Sequence, residues 1–530
     1  MADSEPTPSP EVKRKEKQSV IRSALSMAAG TFSSRILGYV RDALMFHMFE
    51  RGVTDAWVVA FRLPNLFRRL LGEGSLSASF IPIFIEARAS SEERARHLSN
   101  AVFTIVLALS VFISVACFVY MEQIIELMVD DPRGYGAIPG KVEQTVYLGR
   151  IMIFYLVLVT TYAYHMAIAN TLGHYFVPAM GPTLFNLGLI VFTAFRFELG
   201  GVPGSSQSWG VMVGGFLQMI VVVWLLAKIG YLPRLSWRWG GRDVRGVFLN
   251  MVPGLFGLGV YQVMILVNTK FAARLSEGAQ SYIYAADRIL ELPQALIAVS
   301  LGAALLPRFS DLHSAGERGK FLTEANQAVR MLLYLSLPAA VGMYVLSVPI
   351  TQVLFQRGQF TQGDTQQVAA IIEIYSVLML FSSWARVTAP AFYALKNTWL
   401  PAAVALFVLL VHIVTGKYMV DHHGLTGLAI ATSAASIVNI IVLQTFFFFM
   451  IGPLGYGTIF LSALNLVPAL IGLGVFAHYA YPAVLEVVVW REIALSAVIG
   501  AGMVIYFALS VLFRSETAER VFAIVRRRFG

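Results

Sequence analysis

Long apolar runs alternate with short polar connections along nearly the whole chain. A membrane span needs roughly 20 mostly apolar residues, and cutting the sequence at charged, Gly or Pro breaks leaves about fourteen such runs. They fall at 22–46, 54–87, 100–128, 146–169, 175–196, 208–228, 247–273, 281–307, 328–354, 367–394, 399–420, 424–450, 457–480 and 491–513. These runs are too long for barrel strands, and lipid does not tolerate open backbone, so the pattern predicts an all-α integral membrane bundle.

Composition agrees. Hydrophobic residues make up 57% of the 530 positions and charged residues 13%, against about 25% charged in soluble domains; mean hydropathy is +0.68. The net charge of +9 sits in short loops and not on one solvated face, which argues against a nucleic-acid partner. Lys13, Arg14, Lys15 and Lys17 precede the first span, and Arg88, Arg94 and Arg96 follow the second. Lys228, Arg234, Arg238, Arg242 and Arg245 follow the sixth, Arg308, Arg318 and Lys320 the eighth, and Arg526, Arg527 and Arg528 close the chain. Even-numbered connections are thus basic, which places both termini in the cytoplasm, while Glu122, Glu126, Asp130 and Asp131 mark an outer loop. The single cysteine, Cys117, has no intrachain partner.

Residues 1–21 are rich in Pro, Ser and charge, and read as a disordered cytoplasmic tail without a signal peptide. Two internal matches then divide the rest. SLSASFIPIF at Ser75–Phe84 aligns with SLGAALLPRF at Ser300–Phe309, and LGHYFVPA from Leu172 aligns with LKNTWLPA from Leu395 at nearly the same offset. A repeat of six spans returns the chain to the same side, so the copies are parallel about an axis along the membrane normal. The expected organisation is a six-helix lobe at 22–229, a basic cytoplasmic loop at 230–246 and a second six-helix lobe at 247–451. Two extra helices follow at 452–514, then a basic tail at 515–530 that is either a solvated tail or an amphipathic helix on the anionic leaflet. Two lobes around a central cavity suit alternating access.

Charges inside apolar runs carry the chemistry, because each costs roughly 2.5 to 3.5 kcal/mol at a helix centre and survives only by facing a wet or paired interior. Arg35, Arg41 and Asp42 lie in the first span, with Arg35 and Asp42 on one face; Arg62, Arg68, Arg69 and Glu73 lie in the second. On a continuous α-helix Arg62, Arg69 and Glu73 fall within about 40° of arc. In the eighth span, the copy of the second, Asp287, Arg288 and Glu291 share one turn. The plainer reading is a set of interhelical ion pairs. The surplus of arginine over carboxylate points instead to an anion site, since the guanidinium fork matches phosphate oxygens.

Gly72 and Gly74, with Ser75 and Ser77, mark either a hinge in span two or a close helix approach. Gln262, Asn268 and Lys270 in span seven, with Glu373 and Arg386 in span ten, form a coupling-ion network or pair singly between helices. His165 and Asn170 read as interfacial hydrogen-bonders, and no His has metal-ligand spacing. The chain shows no P-loop, GxSxG elbow or HExxH, so the reading is a non-enzymatic transporter without cofactor. Uphill transport would then draw on an ion gradient, the membrane potential or removal of product.

SRILGYVRD at Ser34–Asp42 and TDAWVVAFRLPNLFRRLLGEGSLSASFIPIF at Thr54–Phe84 resemble the opening of the MurJ (MviN-type) lipid II flippases of bacterial peptidoglycan synthesis. YAADRILELP from Tyr284, LLPRFS from Leu305, FQRGQFTQGD from Phe355 and APAFYA from Ala389 resemble the same family further along. The resemblance implies a MOP-superfamily exporter of the bacterial inner membrane whose cationic central cavity takes the pyrophosphate and sugar head of lipid II. It also implies a groove for the polyprenyl tail at spans thirteen and fourteen. Matched by motif, it assigns function to Arg35, Arg41, Asp42, Asp55, Arg68, Glu73 and Arg288. Membrane lipids and peptidoglycan synthases are the implied partners. Leu71, Gly72, Ser75 and Leu76 depart from the Phe-Ala and Ala-Phe usual around Glu73, and Lys396-Asn397 replaces a commonly acidic position. The rival readings are an exporter of drugs or oligosaccharide lipids, which in the drug case should have an acidic aromatic cavity, and a non-transporting scaffold for lipid-linked precursors.

Overall fold

The computed structural model describes residues 30, 32–72 and 75–520. The basic tail from 521 and the N-terminal tail therefore lie outside the described residues. Everything regular among the described residues is helical, in agreement with the expected fold class.

The chain divides into two compact units, one of residues up to Leu127 with Pro139–Leu255, the other of Met128–Ile138 with Phe256–Gly530. The division falls inside a helix at Leu255–Phe256, later than the basic loop at 230–246, and the last two spans belong with the second unit.

In the first unit, α1 covers 32–48. Span two is α2 (Arg51–Phe67), a π-turn at Arg68–Gly72, then α3 (Ser75–Ser90). There follow α4 (Glu92–Val119), α5 (Met121–Val129, whose last two residues belong to the second unit), α6 (Lys141–Met152), α7 (Tyr155–Thr171), α8 (Phe176–Phe195), α9 (Ser205–Lys228) and α10 (Arg242–Ala272), which continues across the division. Ser91 starts α4 because its hydroxyl accepts from Arg94 N–H at 3.1 Å, with Glu92 and Glu93 in the first turn. Leu76, Phe80, Phe84, Tyr164 and Ala167 centre the core, where α3 and α4 pack on α7. α8 and α9 meet where Gly188 faces Gly214; a Cβ on Gly188 would stand 2.6 Å from Gly214 Cα, so side chains there would force the backbones apart.

The second unit takes the end of α10, then α11 (Ala279–Gln294), a π-turn at Ala295–Val299 and α12 (Ser300–Ser314) as span eight. It continues with α13 (Arg318–Val345), α14 (Ser347–Phe355), α15 (Gln362–Ala394), α16 (Trp399–Met450), α17 (Tyr456–Leu464), α18 (Val467–Val487) and α19 (Arg491–Leu512). α16 is two helices joined at Gly424, whose φ of 58° and ψ of −129° break the ladder. α15 opens on a capping box in which Thr361 N–H donates to Asp364 at 2.7 Å. It is the central helix of this unit, packed by α11, α12, α13, α14 and α16, around Phe309, Phe321, Phe392 and Phe447.

Ten helical stretches among the described residues are long and apolar enough to cross a membrane; α6 with α7 and α17 with α18 each form one of them, and the double helix α16 is another. The repeat is visible in the backbone. Phe84 and its copy Phe309 are both core residues, at 0% and 1% exposure. A π-turn precedes each copy of the Ser75–Phe84 segment, at Arg68–Gly72 and at Ala295–Val299. The second match places Gly173 and Lys396 at one position, and both adopt positive φ, 83° and 58°.

Candidate functional site

The charged cluster of the first unit is built on α1. Arg41 and Asp42 are 5% and 1% exposed, and the guanidinium holds Asp42 Oδ1 twice, from Nε at 2.9 Å and Nη2 at 2.7 Å. Arg41 Nη1 donates to Asn186 Oδ1 on α8 at 3.0 Å, and Asn186 Nδ2 donates back to the Ser34 carbonyl at 2.8 Å. A charge pair this deep persists only with such additional hydrogen bonds. Arg35 shares the α1 face of Asp42 as expected, but its side chain is exposed and it is Arg41 that meets the carboxylate. Asn186 is a polar residue in the middle of an apolar run; that same signal would have singled it out.

Asp55, near the start of α2, is 1% exposed and accepts from Lys141 Nζ of α6 at 3.1 Å. Lys141 is itself 3% exposed. Lys141 precedes the apolar run at 146–169, so hydropathy alone gives no sign of its burial.

Arg62 and Arg69 are half-buried on span two, and Arg68 Nε donates to Asn65 Oδ1 at 2.9 Å. The π-turn begins at Arg68, so beyond Gly72 the helical phase departs from that of a continuous α-helix. Glu73 and Gly74 lie outside the described residues, while Gly72 closes the π-turn.

In the second unit Arg288 gathers its neighbours along α11. Nη1 donates to Glu291 Oε2 at 2.7 Å and Nη2 to the Tyr284 hydroxyl at 3.0 Å. The guanidinium also lies over the Tyr284 ring, 4.8 Å from its centroid. Asp287 is exposed. Among the other intramembrane polar residues, Glu373 accepts from Ser347 at 3.0 Å, Arg386 donates to Gln294 at 3.3 Å, Gln294 donates to Ser382 at 2.7 Å, and Asn268 meets His412. His165 is buried, its Nδ1 bonded to the Thr161 carbonyl at 2.7 Å. No group of His, Cys, Asp or Glu suited to a metal ion occurs among the described residues.

Apolar helices in two units, joined by charged connections and with ion pairs buried among them, make this a multi-pass membrane protein. Among solved structures it is similar to an inward-closed lipid II flippase MurJ, with a TM-score of 0.75 and 24% identity, covering 92% of this chain and 98% of that one. It is also similar to an inward-facing multidrug resistance MATE transporter of the MOP superfamily, at a TM-score of 0.66 and 16% identity over 78% and 94% of the two chains. The chain belongs to the lipid II flippase MurJ family: the family model, described as lipid II flippase MurJ, matches residues 46–451. A probable lipid II flippase MurJ of Bdellovibrio bacteriovorus is 43% identical, over 81% of this chain and 82% of its own length. The lipid II flippase MurJ of Burkholderia cenocepacia is 30% identical, over 80% and 83%.

Proposed function

We propose that this protein moves lipid II, the undecaprenyl-pyrophosphate-linked peptidoglycan precursor, from the inner to the outer leaflet of the bacterial cytoplasmic membrane, with both termini in the cytoplasm. The observation that carries this reading is the arginine set of the first unit. Arg41 is clamped by Asp42 and Asn186 inside an apolar unit, and Arg35, Arg62, Arg68 and Arg69 stand on the neighbouring turns of α1 and span two. Family membership supplies the substrate class, and guanidinium supplies the chemistry for a pyrophosphate, which it binds through paired N–H donors without losing its charge. A drug exporter has no use for surplus cations.

Arg35, Arg41, Arg68 and Arg288 bind or orient the polar head, with Arg62 and Arg69 beside them and Asp42, Asp55, Glu73, Asp287 and Glu291 setting arginine positions. α17, α18 and α19 hold the polyprenyl tail, and peptidoglycan synthases receive the product. Transport proceeds by alternating access. Its hinges are the two π-turns, because a π-turn lacks the regular i→i−4 ladder and bends at lower cost than continuous helix.

The reading is tested in a flippase-depleted strain by the periplasmic accessibility of lipid II. Wild type restores accessibility, whereas the Ala variants of Arg35, Arg41, Arg68 and Arg288 lose it at normal expression and Lys restores part of it; complementation by all four Ala variants would overturn the head-group assignment. Gly72→Leu combined with Gly74→Leu should leave yield and lipid II binding in place while slowing translocation. Normal yield with normal translocation would remove the hinge from span two.

A further inference from the structure

His412 is fully buried, at 0% exposure, in the first half of α16. Its Nε2 lies 2.6 Å from Asn268 Oδ1 on α10. An amide oxygen only accepts, so Nε2 carries the hydrogen and the neutral ring presents Nδ1 as a bare lone pair. That nitrogen is buried and makes no hydrogen bond of regular geometry, while the backbone of Ala431 lies within hydrogen-bonding reach of the ring. The surroundings are dry: Phe271 meets the imidazole edge-on at 6.3 Å, and one turn on, a Cβ at Gly416 would be 2.5 Å from the Phe271 ring. His165 is equally buried, but its Nδ1 is already bonded to the Thr161 carbonyl, so it has no vacant position of this kind.

We propose that His412 Nδ1 is a proton-binding site and that its occupancy is coupled to the transport cycle, an inference that rests on the flippase reading. The balance is simple: one proton adds to the Nδ1 lone pair, giving imidazolium, and the same proton later leaves it. The charged ring has two N–H donors in place of one, directed at Asn268 and at the backbone near Ala431. Protonation therefore tightens the hold of α16 on α10. Because α10 runs unbroken across the division of the two units at Leu255–Phe256, a change of grip on its second half is felt by the helix that links them.

No neighbouring ion already serves this role. On α10, Lys270 is exposed and Arg274, just beyond its end, is shared between Asp131 at 3.5 Å and Asp421 at 3.8 Å. On α15, Glu373 is held by Ser347, Arg386 by Gln294 and Asp364 by Thr361, and Tyr375 is buried. On α16 itself Lys417 is exposed, His422 and His423 lie at the outer end, and the half from Leu425 to Met450 has no titratable residue.

The experiment uses the full chain in liposomes containing lipid II, wild type and His412→Gln; Gln keeps an N–H for Asn268 and cannot titrate. Nitrogen-15 histidine spectra, with the His412 signal assigned by its loss in the variant, are followed between about pH 5 and 8 with and without lipid II. Translocation is timed under pH gradients of either sign. The proposal expects the His412 signal to titrate, its midpoint to move when lipid II binds, and wild-type translocation to change several-fold, with a ceiling of about tenfold per pH unit, in one gradient direction. His412→Gln should translocate at a rate indifferent to the gradient. A neutral His412 across the range in both conditions, or a variant that keeps the gradient response, overturns the proton site and leaves the flippase reading intact. Wild type that moves no lipid II under any gradient defeats the flippase reading, and the spectra still decide whether His412 binds a proton.

Discussion

Spans two and eight have the same backbone and different chemistry. Both run helix, π-turn, helix, with a proline near the end of the first segment, Pro64 or Pro293, and another inside the second, Pro82 or Pro307. Yet the π-turn of span two reads RRLLG and that of span eight ALIAV. The charges of span eight that precede its break, Asp287, Arg288 and Glu291, are partly or fully exposed, whereas the first unit buries Arg41–Asp42 and Asp55–Lys141 almost completely. Proline and small residues keep the bend in both copies, since they act on the backbone ladder. Charge is free to differ because it acts through whichever partners each unit supplies. The two copies thus keep one backbone break, while the units around them differ in how deeply they bury charge.

The strongest way to break this contrast is to remove one partner of each pair. Arg41→Ala or Lys141→Ala removes the ion-pair partner of a buried carboxylate and should cost about 3 to 5 kcal/mol, while Arg288→Ala breaks a solvated pair and should cost at most about 1 kcal/mol. Thermal unfolding in detergent measures all three; equal losses would mean that the two units do not differ in the way described. Combining Lys141→Met with Asp55→Leu should recover most of the single-variant loss, because two apolar side chains leave no unpaired charge.

An intermediate effect separates the copies at Gly302, which corresponds to Ser77. A Cβ on Gly302 would stand 2.9 Å from the Arg386 carbonyl, so Gly302→Ser should cost about 1 to 3 kcal/mol through overpacking. Ser77→Gly should cost only about 1 kcal/mol, the helix penalty of glycine. If the two changes lowered the melting temperature alike, the close approach of α12 to α15 would not be a feature peculiar to the second unit.

The smallest effect lies at the repeated turn. Gly173 takes its positive φ freely, whereas Lys396 holds the same conformation at a cost of about 1 kcal/mol. Lys396→Gly should raise the melting temperature slightly and Gly173→Lys should lower it. Shifts of the same sign would show that the two turns are not equivalent.

Much of this architecture was legible from the residues alone. Apolar run length is a local property that lipid enforces over each window of about 20 residues, so the all-helical bundle, the repeat and the positions of the intramembrane charges needed no coordinates. Motif likeness also reached the family from Arg35–Asp42 and Thr54–Phe84. Partner choice was decided elsewhere. Arg41 finds Asn186 across 145 positions and Lys141 finds Asp55 across 86, and no local pattern records which apolar helix will lie alongside which. Helical phase was hidden for a related reason: a face is a sum over every preceding residue, and one π-turn at Arg68 rotates everything beyond it. The same holds for His412, whose bare nitrogen exists only because α10 brings Asn268 to one side of the ring and leaves the other without a donor.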